Sequence, residues 1–289
     1  MTTTPKCILA CIDGSELSNS VIDYAIWLAQ NSQLNLKFVH TIEHSHTSEI
    51  AHKEGNLLPN MTENLLSELS DEERAKSKIL IAEGKLILQA AMDKAVQAGL
   101  TNIIVKQRHG KLSEVLQDLK AEYALAVLGA RGENHAGENQ GLGSQLEAAI
   151  RAIHSPVFIV KGDFKTPTSL LFAYNGSPTS KKALDVLKQV SFLNNDLAIH
   201  VVAVQKTVEQ GQALIDEALT LLAESHFTNV TGKALVGEII EQLIQYQQQN
   251  KIDVTAMGAF SHGQLHGFFF GSFTTKMLLE SKTNFLLSR

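Results

Sequence analysis

Short apolar runs alternate along the chain with stretches in which apolar residues return every three to four positions, and the alternation runs through twice. In the first pass the runs predict strands near Cys7–Ile12, Leu34–His40, Asn102–Lys106, Ala124–Leu128 and Val157–Val160. In the second they predict strands near Ser169–Ala173, Leu197–Val204, Asn229–Leu235, Asp253–Met257 and Asn284–Leu287. Helical spacing fills the gaps. Leu17, Val21, Ala25 and Leu28 form one stripe after the first strand, and Leu146, Ala149, Ile150 and Ile153 form another before the fifth. Ser177-Pro178 supplies a capping hydroxyl followed by a proline at a first helical position. Strands alternating with helices predict an α/β fold with parallel sheets covered by helices on both faces.

The two passes are similar residue by residue. Asp13-Gly14-Ser15 matches Asn175-Gly176-Ser177 at an offset of 162, and Gly143-Ser144 matches Gly271-Ser272 at an offset of 128. The fall of 34 between these offsets is a net insertion in the first half, placed near residues 43–83, polar and helical toward its end. The segment Gly162 to Thr168 reads as a linker. Two domains follow, 1–162 carrying the insertion and 168–289, which suits a chain of 289 residues.

Composition narrows the class. With 25 Lys and Arg against 30 Asp and Glu, the net charge is −5, which argues against a nucleic-acid partner. Apolar runs are too short for a membrane span, and no apolar signal core precedes the first strand, so a cytoplasmic location is expected. The two cysteines, Cys7 and Cys11, share one face of a strand about 13 Å apart at roughly 3.3 Å per residue, too far to bridge.

In an open parallel sheet, ligands sit beyond the carboxyl ends of the strands, where strand order reverses. Asp13 ends the first strand and Gly129 the fourth. Beyond Gly129 a glycine-containing loop leads to Gly143-Ser144 at a helix start, where free N–H groups and the helix dipole suit phosphate. Asn175, Gly258, Gly271 and Ser272 repeat the arrangement. Each motif alone also reads as a turn followed by a helix cap. Their joint recurrence favours a site.

These residues resemble the universal stress protein family in its tandem two-domain form. Nucleotide-binding members carry Gly-x2-Gly-x9-Gly-[Ser/Thr] after strand four and an Asp at the end of strand one. The first half has Gly129-x2-Gly132, then ten residues before Gly143-Ser144. The second has Gly258-x2-Ser261, then nine before Gly271-Ser272, with Asn175 in place of the aspartate.

The resemblance implies two Rossmann-like domains of the adenine nucleotide alpha hydrolase-like type, each a five-stranded parallel sheet of order 3-2-1-4-5. The halves are expected to pack as an internal pseudo-dimer through strand five, since Val157–Val160 and Phe285–Leu287 are apolar and would otherwise leave an exposed sheet edge. A homodimer is compatible with it. The ligand implied is ATP, with Mg²⁺ as a companion. Adenine would lie between Asp13 and the backbone at the end of strand two. Gly129 and Gly132 would admit the ribose, and Gly143 and Ser144 would hold phosphate. Asn175, Gly258, Ser261, Gly271 and Ser272 would serve the second half. Glu133 and Glu138 in the first loop, against two histidines and no acid in the second, favour tighter ATP binding by the second half.

Other chemistry is weakly signalled. His44, His46, His52, His262 and His266 lack a metal-ligand framework, and Phe268-Phe269-Phe270 reads as loop packing. The Gly-Lys pairs at Gly84, Gly110 and Gly232 lack the upstream glycine of a P-loop, and no GxSxG or GxGxxG occurs. The leading expectation is a nucleotide-binding regulatory protein of the stress response. A protein-interaction module with degenerate sites and a slow ATPase are the alternatives.

Overall fold

The computed structural model describes residues 6–32, 34–43, 71–130, 144–259 and 271–288, the side chains of 71–75 and 144 excepted. The first half runs β1 (Cys7–Cys11), α1 (Ser18–Gln30), β2 (Asn35–Ile42), α2 (Asp71–Gln97), β3 (Ile103–His109), α3 (Leu112–Asp118), β4 (Tyr123–Gly129), α4 (Ser144–Ala152) and β5 (Val157–Val160). The second runs β6 (Ser169–Ala173), α5 (Pro178–Gln189), β7 (Ala198–Gln205), α6 (Val208–Leu222), β8 (Val230–Val236), α7 (Ile239–Gln249), β9 (Val254–Gly258), α8 (Ser272–Glu280) and β10 (Asn284–Ser288). All ten predicted strands are present.

Each half has the expected strand order and parallel pairing, but the halves share one sheet. Its order is β3-β2-β1-β4-β5-β10-β9-β6-β7-β8, ten strands in all. Among the described residues the one antiparallel pair joins the halves, with Phe285 opposite Ile159, Leu286 opposite Phe158 and Leu287 opposite Val157. Every residue of β5 and β10 is buried, as strands covered on both faces require. Antiparallel pairing here points the carboxyl ends of the two halves in opposite directions. Helices α1, α2, α5 and α6 pack on one face around Phe38, Phe158 and Phe172, and α3, α4, α7 and α8 pack on the other around Ile159, Tyr123 and Phe285.

Side chains lock this junction. Asn284 Nδ2 donates to the Tyr24 hydroxyl at 2.8 Å while its Oδ1 accepts from Lys161 N at 2.9 Å. The Lys161 ammonium donates to the carbonyls of Leu278 and Ser281 at the end of α8, where a cation meets the negative end of the helix. Tyr24 also packs at a tilt on Phe158 and edge-to-face on Phe164, at 5.3 and 4.9 Å between ring centroids. The linker is pinned by Asp253, which accepts from Lys165 Nζ and Thr168 N, both at 2.8 Å, and from Ser169 N at 3.2 Å.

Two details depart from the sequence reading. Leu17 is the cap residue of α1 rather than its first apolar position, since the helix starts at Ser18. Residues 71–83 of the insertion continue directly into α2, giving 27 residues against 15 in α6. Residues 44–70 of the insertion lie outside the described residues.

Helices α2 and α6 approach the sheet through equivalent glycines. A Cβ on Gly84 would lie 2.6 Å from His40 Nδ1 and 2.1 Å from Gln107 Nε2, and His40 and Gln107 are paired on β2 and β3. A Cβ on Gly211 would lie 2.9 Å from the Cβ of Ala234, which is paired with Ala203. Gly-to-Ala in an exposed helix interior stabilises by about 1 kcal/mol. Here overpacking reverses the sign: Gly84→Ala is expected to lower unfolding free energy by about 1–3 kcal/mol in urea titrations, and a more stable variant would contradict this packing.

Asp253 makes stability depend on pH. Burial raises its pKa, but the Lys165 and Thr168 hydrogen bonds outweigh burial and hold the carboxyl below its ordinary value. Its contribution is therefore present above the ordinary carboxylate range, about pH 4, and is lost as pH falls through the lowered value. Asp253→Asn should melt below the wild type at neutral pH, with the difference shrinking under about pH 4. A difference independent of pH would show that the charge is not what pins the linker.

Candidate functional site

The chain turns sharply after β1. Gly14 has φ +83° and Gly176, its counterpart after β6, has φ +71°, a conformation that glycine adopts without strain. In the first half the Asp13 carboxylate Oδ1 accepts from Ser15 N at 3.0 Å and from the Ser18 hydroxyl at 2.9 Å. The same hydroxyl accepts from Gly14 N at 2.9 Å and Asp13 N at 3.1 Å. Ser18, buried at the start of α1, thus fixes the orientation of the Asp13 side chain. In the second half Asn175 Oδ1 accepts from Ser177 N at 3.1 Å, and Ser177 caps α5 by accepting from Ser180 N at 3.2 Å, as the Ser-Pro pair predicts.

The Asp13 turn borders a cleft at the switch point between β1 and β4. Cys11, Asp13 and Ser15 line it from the β1 side, Val39 and Thr41 from β2, and Leu128, Gly129 and Ala130 from the end of β4. Gln145 and Leu146 on the first turn of α4 close the far side. Burial, reinforced by the Asp13 charge, pushes the Cys11 thiol up to about 12, so it stays neutral. Both cysteines are free. Asp13 and Gly129 therefore come together as predicted, beside the start of the helix that opens at Ser144. Gly132 and Gly143 lie outside the described residues, and so does the side chain of Ser144.

The second half is arranged differently. Asn175 is exposed. Gly258 ends β9 against the start of α5: a Cβ there would stand 2.9 Å from the Thr179 carbonyl oxygen. Gly271 caps α8 in an extended conformation, and among the described residues nothing lies within 4 Å of where a Cβ would project. Ser272 is exposed on the first turn. Thr274, one turn in, donates to Ala259 O at 3.2 Å, whereas its counterpart Leu146 lines the first-half cleft. Ser261, His262, His266 and Phe268-Phe269-Phe270 lie outside the described residues, as do His44, His46 and His52.

Among the described residues no group of three or more metal-ligating side chains occurs, and no helix is long and apolar enough to cross a membrane. Sequence reasoning missed Ser18 and Thr41. The available signals were the position of Ser18, five residues after Asp13, and of Thr41, near the end of a strand adjoining β1.

Comparison with known proteins agrees with this geometry. The profile of the universal stress protein family matches residues 5–161 and again 168–289. The universal stress protein Slr1230 of Synechocystis sp. is 34% identical over 288 residues, covering 98% of this chain and 100% of that protein. The fold is similar to that of a universal stress protein from Archaeoglobus fulgidus, with TM-score 0.70, 18% identity and 98% of both chains covered. It is also similar to a putative universal stress protein from Pseudomonas aeruginosa, with TM-score 0.66, 14% identity, and 99% of this chain and 94% of that one covered. Two copies of the family pattern, one fold repeated across the chain and a relative matched along its whole length agree: the chain belongs to the universal stress protein family.

Proposed function

We propose that this protein is a regulatory adenine-nucleotide-binding module of the stress response, with the adenosine part of the ligand held in the first-half cleft. The observation that carries this reading is the convergence of Asp13, Thr41 and Gly129 on one cleft under the start of α4. A carboxylate held by Ser18 offers an acceptor to ribose hydroxyls, glycine at the end of β4 admits close backbone approach, and the helix start favours phosphate. Loop charge favoured the second half. The exposed Asn175, against an Asp13 carboxylate held by Ser18, favours the first.

Binding rather than turnover suits the lining. Among its described residues there is no His, Lys or Arg, and the Cys11 thiol is held neutral, so the described lining offers contacts for binding rather than an acid and base pair.

Calorimetric titration with AMP and with Mg-ATP tests the proposal. The wild type should show saturable binding, Gly129→Asp should weaken AMP by at least about tenfold through repulsion at the cleft, and Gly271→Asp should leave AMP within about twofold. No binding, or loss through Gly271→Asp with Gly129→Asp silent, would contradict the assignment.

A further inference from the structure

The repeat supplies an internal comparison at the mouths of the two crevices. Ile12 N donates to Val39 O at 3.0 Å and Tyr174 N donates to Val202 O at 2.9 Å, so Val39 and Val202 are structurally equivalent. Four residues beyond each lie Glu43 and Lys206, the positions that directly follow β2 and β7. Both are exposed, and their charges are opposite.

Glu43 is also tied across the first-half cleft. Gln145 Nε2, on the first turn of α4, donates to Glu43 Oε2 at 3.1 Å. Gln145 lines the cleft, and so does Thr41, two residues before Glu43. The bond therefore places a carboxylate between the end of β2 and the start of α4, where an anionic ligand group would approach. The repeat offset puts Phe273 at the position of Gln145 in the second half, so the bond has no polar counterpart there. Asp13 is the one charged residue among the described lining of the first cleft, and Glu43 adds negative charge at its mouth.

We propose that Glu43 sets the charge of the ligand accepted by the first half, which takes an adenine nucleoside or its monophosphate in preference to the free triphosphate. This rests on the adenine-nucleotide reading of the same cleft. Adenosine carries no charge for Glu43 to repel, AMP carries about −1.5 to −2 and free ATP more still, so the repulsion is graded along the three. Exposure screens the repulsion, so the expected discrimination is modest, roughly threefold to tenfold at low salt. Mg²⁺ neutralises part of the ATP charge and should recover part of the loss. An alternative role for Glu43, ordering the chain after β2 through Gln145, would affect neutral and charged ligands alike.

The test is calorimetric titration with adenosine, AMP and ATP without divalent cations, in the full chain carrying Gly271→Asp so that the α8 start does not take up phosphate. Alone, this chain should bind adenosine and AMP more tightly than ATP. Adding Glu43→Gln should narrow the gap, and Glu43→Lys should raise ATP affinity about tenfold relative to adenosine, an effect that fades at high salt. An ATP-to-adenosine ratio unchanged in both variants, or equal shifts for both ligands, would overturn the charge assignment alone. No binding of any of the three compounds would overturn the adenine reading and this inference with it.

Discussion

The pairing of β5 with β10 is the constraint on which the rest of the molecule depends. A Rossmann-like half ends in a strand whose outer edge would expose unpaired N–H and C=O groups beside fully apolar faces. Joining the two ends removes both edges at once and makes one ten-stranded sheet with a core on each side. Tyr24, Lys161 and Asn284 then hold the register, because each satisfies a polar group contributed by the other half.

The antiparallel sense of that junction decides where function can lie. The carboxyl ends of β1 and β6 face opposite ways, so the two crevices are separated and neither needs the other to be complete. A duplicated domain under this arrangement can keep its packing while its mouths change. The pairing of glycines Gly84 and Gly211 over equivalent strand positions shows the packing kept. Asp13 against Asn175, Glu43 against Lys206 and Leu146 against Thr274 show the mouths changed.

The fold was legible in the sequence because it is carried by local patterns: apolar runs for strands buried on both faces, helical stripes between them, and the repeat that gave the halves. Placing Asp13 beside Gly129 was legible for the same reason, since both end strands that flank the switch point. Other features depend on contacts between distant residues. The hydroxyl of Ser18 folds back on Asp13 only once α1 starts at Ser18 rather than earlier, and Gln145 meets Glu43 across 102 positions of sequence. The packing role of Gly84 and Gly211 is equally non-local, since only the sheet beneath them shows that a Cβ would meet a neighbour within 3 Å.

A crystal structure of the protein grown with saturating AMP would show whether the first-half cleft seats an adenine nucleotide. Density for the nucleoside is expected against Asp13, Thr41 and Gly129, with phosphate toward the start of α4. Density confined to the second half, or a first-half cleft left without nucleotide at saturation, would contradict that assignment.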